Sequence, residues 1–377
     1  MHLEYNDLLS NKQFGFRQNC STEDALNLMT AYLHKNKFGF KCAIVTKDVK
    51  QAFDTVWHEG LKYKIWHNFN LPVIFKKLLC SFITDRQIRI RHKHVLSTPF
   101  SPLAGVPQGS VLSPTLFNMY TSDLPDPTHP DSLTIQYADD VTQLARARRL
   151  DELTDVLQTE LTATSLWELK WRILAHPEKT SVTYFNKKSE APRQIYLYPF
   201  LRNEPPIRLS NSCKVLGVSF DKNRCFAGHI KTKIALAKNT LSNLARFRGS
   251  STRTKMHLYK ALVLPTLTYC PLVVSLVSQT NQYKIQAIQN KAIRFATNTH
   301  WSEFRTSESI HDELNLLPIN VILHLRIVKQ LEKFRNIHNT KFEFMEALRP
   351  YWHNQRPRNL LDPDTHELPH PIYVKQR

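Results

Sequence analysis

Residues 132–145, SLTIQYADDVTQLA, place two short apolar runs on either side of Ala138-Asp139-Asp140, which predicts a β-hairpin with adjacent carboxylates at its tip. Two carboxylates on a tight turn repel each other unless a cation sits beside them. Upstream, residues 42–48 (CAIVTKD) read as a strand ending on Asp48, and residues 51–66 (QAFDTVWHEGLKYKIW) carry apolar positions 53, 56, 57, 61 and 65 at helical spacing. That is a strand-to-helix unit with an acid at the joint. Three acids at strand ends or turns, far apart in the chain, are naturally held together by divalent metal. Two Mg²⁺ ions about 3.5–4 Å apart activate an attacking hydroxyl and stabilise a leaving oxygen in phosphoryl transfer. Mg²⁺ needs few carboxylates, because water and substrate phosphates complete its shell.

The segment GVPQGSVLSPTLFNMY, from Gly105 to Tyr120, adds an element of another kind. Gly105 and Gly109 bracket a loop, and Ser110 is expected to cap the helix that follows. A plain Gly-Pro turn accounts for the glycines and Pro107 but not for Gln108 between them. Further on, apolar spacing predicts a helix over residues 151–171, and residues 181–185 (SVTYF) and 213–220 (CKVLGVSF) each read as a strand. The Pro- and aromatic-rich residues 190–208 read as a loop and connecting strand. Alternating strands and helices with antiparallel hairpins give an α+β domain.

Beyond Asp221 the pattern turns helical and the charge becomes one-sided. Between Asp221 and Glu303 there are 81 residues with 13 Lys or Arg and no Asp or Glu. A solvated face normally mixes both signs, so this segment is expected to face phosphates. The whole chain agrees: 377 residues carry 51 Lys+Arg against 32 Asp+Glu, a net charge of +19 that argues for a polyanionic partner, nucleic acid first. With 42% apolar residues the chain can build a sizeable core, which excludes a disordered tail protein. Its six cysteines are scattered without metal or redox spacing, the N-terminus has no signal-peptide pattern, and an intracellular protein is the expectation. The uncharged run from Ala261 to Ser278 is interrupted by Pro265 and Pro271, so it reads as a buried, broken helix and not a membrane span. Residues 350–377, with five prolines, read as a poorly ordered tail.

Order and spacing then sharpen the reading, because six blocks in sequence resemble the reverse transcriptases of jockey-like non-LTR retrotransposons. QFGFRQNCSTEDAL at 13–26 resembles the family's fingers motif, TKDVKQAFDTVWH at 46–58 motif A, and GVPQGSVLSPTLFNMY motif B. QYADDV at 136–141 resembles motif C, WRILAHPEKTSVTYF at 171–185 motif D, and KVLGVSFDKNRCFAGHI at 214–230 motif E. The resemblance implies a right-hand polymerase palm with partial fingers over residues 1–221, a helical basic thumb and C-terminal region over 222–349, and the tail over 350–377. It implies an RNA-directed DNA polymerase that adds dNTPs to a primer 3′-hydroxyl, using two Mg²⁺ ions with Mn²⁺ as a substitute.

The implied roles fall on single residues. Asp48, Asp139 and Asp140 are the catalytic metal-binding acids, with the Val49 carbonyl as an extra ligand. Phe53 lies under the deoxyribose, Gln108 lies against the nascent pair, and Lys179 faces the departing pyrophosphate. Gly105, Gly109, Ser110 and Tyr137 face template and primer. Arg17, in the fingers block, is open between a phosphate contact and a structural ion pair. The implied partners are an RNA template, a DNA primer, their RNA–DNA hybrid and dNTPs, with no membrane, and nuclear action by family. The match starts at the second fingers block, so an N-terminally truncated copy is expected, with endonuclease function coming from elsewhere. Lys47 stands where the family has an apolar residue, and His176 where it has Asn. The competing reading is a catalytically inactive nucleic-acid-binding remnant on the same fold.

Overall fold

The fold is built outward from the strand that ends on Asp48. In a computed structural model describing residues 2–34, 39–185, 192–300 and 303–335, the chain forms two compact units, Met1–Ala25 with Gly39–Cys213, and Leu26–Phe38 with Lys214–Arg377. The expected tail over 350–377 lies outside the described residues. The first unit runs α1 (His2–Tyr5), the start of α2 (Thr22–His34), β1 (Lys41–Asp48), α3 (His58–His67), α4 (Val73–Ile83), β2 (Arg91–His92) and β3 (Val95–Leu96). It continues through α5 (Ser113–Tyr120), β4 (Ser132–Tyr137), β5 (Asp140–Ala147), α6 (Leu150–Lys170), β6 (Ser181–Phe185), β7 (Arg208–Leu209) and the start of β8 (Ser212–Val215).

Five strands form its sheet in the order β4-β5-β1-β6-β7, antiparallel except for the β6–β7 pair. Side chains alternate along β1, so Ala43, Val45 and Lys47 share one face and Ile44, Thr46 and Asp48 the other. Ala43 and Val45 pack with Ala145 and Ala147 beneath Leu153, Leu157 and Leu161 of α6. Those three leucines recur at i, i+4, i+8 and are at most 1% exposed, each contributing about 1.5–3 kcal/mol of burial. The helix therefore covers one face, and Asp48 belongs to the other.

Two expected elements come out differently. The helix expected over 51–66 begins only at His58, because Gln51 takes a positive φ of 48° and its carbonyl receives the N–H groups of Asp54 and Thr55 in a turn. The single strand expected over 213–220 is a hairpin of β8 and β9 (Val218–Asp221), its turn made by Leu216 and Gly217, both at positive φ as a tight two-residue hairpin requires.

The second unit holds the rest of α2 and of β8, then β9, α7 (Ala227–Asn243), α8 (Thr252–Leu258), α9 (Leu264–Thr268), α10 (Pro271–Ser275), α11 (Gln279–Thr297), α12 (Ser307–Glu313) and α13 (Ile319–Arg335). The uncharged run breaks at Cys270, which sits at φ 53°, between α9 and α10, and its Val263, Leu267, Leu272, Val273 and Val274 are buried. Among the described residues no helix is long and apolar enough to cross a membrane. Of the 13 cations between Asp221 and Glu303, only Arg224 and Lys255 are buried, so most of that charge is on the surface. Lys231 and Lys238 on α7, and Lys284 and Lys291 on α11, are seven residues apart and exposed, so each pair shares a helix face.

Candidate active site

Backbone pairing places the acids. Asp48, last in β1, is the direct partner of Asp140, first in β5, so the two lie side by side on one face of the sheet. Tyr137 pairs with Asp140 across the β4–β5 hairpin, which leaves Ala138 and Asp139 as the whole turn. Ala138 takes φ 55°, a left-handed conformation that a residue with a Cβ adopts only when its surroundings hold it.

A third strand-like segment clasps this edge from the motif D side. His176 N–H donates to the Asp48 carbonyl at 2.8 Å and Lys50 N–H to the Leu174 carbonyl at 2.9 Å, around a bridge between Val49 and Ala175. These bonds use the Asp48 carbonyl and leave the Val49 carbonyl outside them. The clasp also delivers Lys179, whose Nζ donates to Asp48 Oδ2 at 2.7 Å.

The electrostatics follow from this crowding. Partial loss of surrounding water raises the Asp140 carboxyl above its ordinary value although its edge is exposed, and the charges of Asp139 and Asp48 raise it further. Lys179 is exposed and its ammonium is held protonated by Asp48, first through the hydrogen bond and then through charge, with Asp139 adding to it. Carboxylate oxygens are the ligand type that hard divalent cations take. Among the described residues no group of three or more His, Cys, Asp or Glu is placed to hold a metal ion. That is compatible with Mg²⁺, which takes one or two carboxylates and fills the rest of its shell from water and phosphate.

The motif B loop lies against the turn that follows β1. Gly105 has φ 92°, and a Cβ there would come within 2.8 Å of the Asp54 carbonyl oxygen, so the close approach it permits is to the protein's own backbone. Gly105 N–H donates to Val56 O and Val106 N–H to Phe53 O, both at 2.8 Å. The Gln108 amide donates to both carboxylate oxygens of Asp54, at 2.9 and 3.0 Å. Gly109, at φ 85°, meets nothing. Leu112 occupies the N-cap position of α5, and Ser110, two residues before it, receives the N–H of Ser113, the first helical residue, on its hydroxyl at 3.1 Å. Phe53 is half-buried, stacked on Phe117 of α5 at 4.9 Å and meeting Phe16 edge-on at 6.1 Å.

The structure thus brings Asp48, Asp139, Asp140 and Lys179 together, and gathers Phe53, Gly105 and Gln108 around the turn of residues 51–57. Tyr137 is half-buried at the end of β4, opposite Asp140. Arg17 is a structural residue: its guanidinium grips the Glu4 carboxylate and the Ser10 carbonyl. Lys47 has an internal role too, its buried Nζ donating to Thr164 Oγ1 at 2.7 Å and Glu168 Oε1 at 2.9 Å on the covered face. Sequence reading missed Glu168, which also accepts from the Tyr198 hydroxyl at 2.9 Å. An unexpected cation in a strand is the signal that a buried acid must face it.

An acid-bearing hairpin beside an acid-ended strand, in an α+β unit, is the arrangement expected from the sequence resemblance to a polymerase palm. Residues 1–220 match the reverse transcriptase (RNA-dependent DNA polymerase) family, and the chain belongs to it. Its relatives are polymerases of jockey and other non-LTR transposons. It is 30% identical over 352 residues to the probable RNA-directed DNA polymerase from transposon X-element of Drosophila melanogaster, covering 89% of this chain and 37% of that protein. It is 30% identical over 304 residues to the RNA-directed DNA polymerase from mobile element jockey of Drosophila funebris, covering 77% and 32%. The chain therefore spans about a third of the length of these transposon polymerases. A solved telomerase from Candida albicans with a TWJ fragment of telomeric RNA aligns at TM-score 0.46 and 13% identity over 81% of this chain and 55% of that one, too remote to add to the assignment.

Proposed function

We propose that the chain is the polymerase portion of a non-LTR retrotransposon reverse transcriptase, extending a DNA primer with dNTPs on an RNA template, with its site of action in the nucleus. The observation that carries this is the register of Asp48 opposite Asp140 with Asp139 on the intervening two-residue turn. Asp48, Asp139 and Asp140, with the Val49 carbonyl, would hold the two Mg²⁺ ions, or Mn²⁺ in their place. Bound there, the ions supply activation of the primer hydroxyl and neutralisation of charge on the α-phosphate.

The chain's own residues do the positioning. Lys179 stays protonated beside Asp48 and carries a charge, and a proton, towards departing pyrophosphate. Phe53, stacked on Phe117, would lie beneath the sugar and exclude a 2′-hydroxyl by contact. Gln108, Gly105, Gly109 and Ser110 form the surface against the nascent pair, and Tyr137 stands by the primer end. Base pairing reads the template, while the cations of α7 and α11 hold the phosphates of the hybrid without reading sequence.

The test is dNTP incorporation on a poly(rA)–oligo(dT) substrate with Mg²⁺ or Mn²⁺, for the wild type and Asp139→Ala. The reading predicts metal-dependent extension that the substitution lowers by at least about 10²–10³-fold, the scale of one preorganised electrostatic group. Salt-sensitive hybrid binding by both proteins, with incorporation by neither, would leave a binding fold without catalysis.

A further inference from the structure

We propose that Gln13 is a positioning residue for Asp139, fixing the turn on which that carboxylate stands. Gln13 lies in the QFGF segment, far from the turn in sequence, and is 1% exposed. Its Oε1 accepts the Ala138 N–H at 2.9 Å and its Nε2 donates to the Ala138 carbonyl at 3.2 Å. One side-chain amide thus meets both backbone polar groups of the residue that holds the left-handed conformation. The same Oε1 also accepts the Gly15 N–H at 2.8 Å, which ties the amide to its own segment.

The surrounding backbone holds that amide in place. Phe14 N–H donates to the Gln136 carbonyl at 2.9 Å and Gln136 N–H to the Lys12 carbonyl at 2.8 Å, so residues 12–14 lie alongside the end of β4 as a short parallel addition. Asn118 of α5 donates to the Gly15 carbonyl at 2.9 Å. A Cβ on Gly15 would come within 2.3 Å of the Ala138 nitrogen, so the segment passes in contact with the turn.

The amide is suited to this as no other side chain of its length is. It offers an acceptor and a donor in one plane, whereas Glu lacks the donor and adds a negative charge beside Asp139 and Asp140. Ala138 is uphill in its conformation, and two acids at the tip repel, so an unbraced turn relaxes and carries Asp139 with it. The brace is a statement about the structure; its catalytic consequence rests on the polymerase reading.

Gln13→Ala and Gln13→Glu in the full chain test it by three readouts. Hydrogen exchange resolved at Ala138 is expected to quicken by about tenfold or more in Gln13→Ala, with Val141 to Ala145 inside β5 unchanged, as local opening requires. Gln13→Glu keeps the acceptor and should keep most of that protection. Mn²⁺ titration followed by electron paramagnetic resonance should show weaker binding in Gln13→Ala. In primer extension, kcat should fall by about 10²-fold for Gln13→Ala, the scale of a misplacement near 1 Å, and less for Gln13→Glu, with hybrid Kd unchanged.

Unchanged exchange at Ala138 overturns the proposal, as does exchange that rises uniformly through β5, or wild-type Mn²⁺ binding in Gln13→Ala. A wild type that protects Ala138 and binds Mn²⁺ but extends no primer counts against the polymerase reading and leaves the brace standing.

Discussion

The acid-bearing edge of the first unit and the cationic helices of the second are specified in different ways. At the edge, single residues have single partners: Asp48 faces Asp140, Lys179 reaches Asp48, and Glu168 answers Lys47. On α7 and α11 Lys231, Lys238, Lys284 and Lys291 are exposed, and the property that matters is the number of exposed cations in a segment without acids. Geometry therefore governs the first region and charge density the second. Changes in the first should act abruptly and at one residue, while changes in the second should add up gradually and depend on salt.

The largest expected effect comes from breaking a unique buried pair. Glu168→Gln leaves the Lys47 ammonium charged in a site where its side chain is 0% exposed, and should destabilise the chain by about 3–5 kcal/mol in denaturant titration. The double change Lys47→Met with Glu168→Leu should recover most of that loss, since a well-packed apolar pair avoids the desolvation of two charges. A double variant as unstable as Glu168→Gln would mean that the loss lies in the Tyr198 and Thr164 hydrogen bonds and not in the ion pair.

The charge-dense unit has its own weak point, at His229. Burial, and then the charges of Lys233 and Lys214, lower its pKa to about 4 from 6.5, and its Nδ1 accepts the Ser219 N–H. Because the folded state binds the proton less tightly than the unfolded, this histidine's contribution is fully present above pH 6.5 and lost as pH falls towards 4. The loss amounts to about 3 kcal/mol. Urea unfolding between pH 7 and pH 4 should show that decline, and His229→Gln should flatten it. An equally steep decline in the variant places the acid sensitivity elsewhere.

Smaller still, and graded, is the effect of neutralising surface cations. Replacing Lys231, Lys238, Lys284 and Lys291 with Gln should lower the slope of log affinity against log salt for an RNA–DNA hybrid by about 3, near 0.7–0.9 for each phosphate that is no longer neutralised. Single replacements should each take about a quarter of that change. If one lysine accounts for the whole effect, the second region works by specific partners after all. Gln108→Ala marks the bottom of the scale: its hydrogen bonds to Asp54 are exposed, and thermal unfolding should move by less than about 1 kcal/mol.

Legibility divides along the same line. The Tyr137-to-Asp140 hairpin could be read because alternation on both sides of a turn is a local pattern, and Asp48 because an apolar strand ends on it. The charge-dense segment was legible from composition alone. The Gln13 hydrogen bonds to Ala138 and the Lys47 ion pair with Glu168 join residues more than a hundred positions apart, and such pairings leave no periodic trace in either segment. The start of α3 was misplaced because Phe53, Val56 and Trp57 keep helical spacing while Gln51, at positive φ, holds them in a turn. The β8–β9 hairpin did have a local signal, Gly217 in the middle of an apolar run.

The most direct test of this division is single-turnover primer extension on a saturating RNA–DNA hybrid, with hybrid Kd measured in parallel. Asp139→Asn should lose the extension rate and keep the wild-type Kd, whereas the four-lysine variant should keep the rate and lose affinity in a salt-dependent way. If both variants shift rate and affinity together, or if Asp139→Asn extends primers as the wild type does, the separation of chemistry from grip is contradicted.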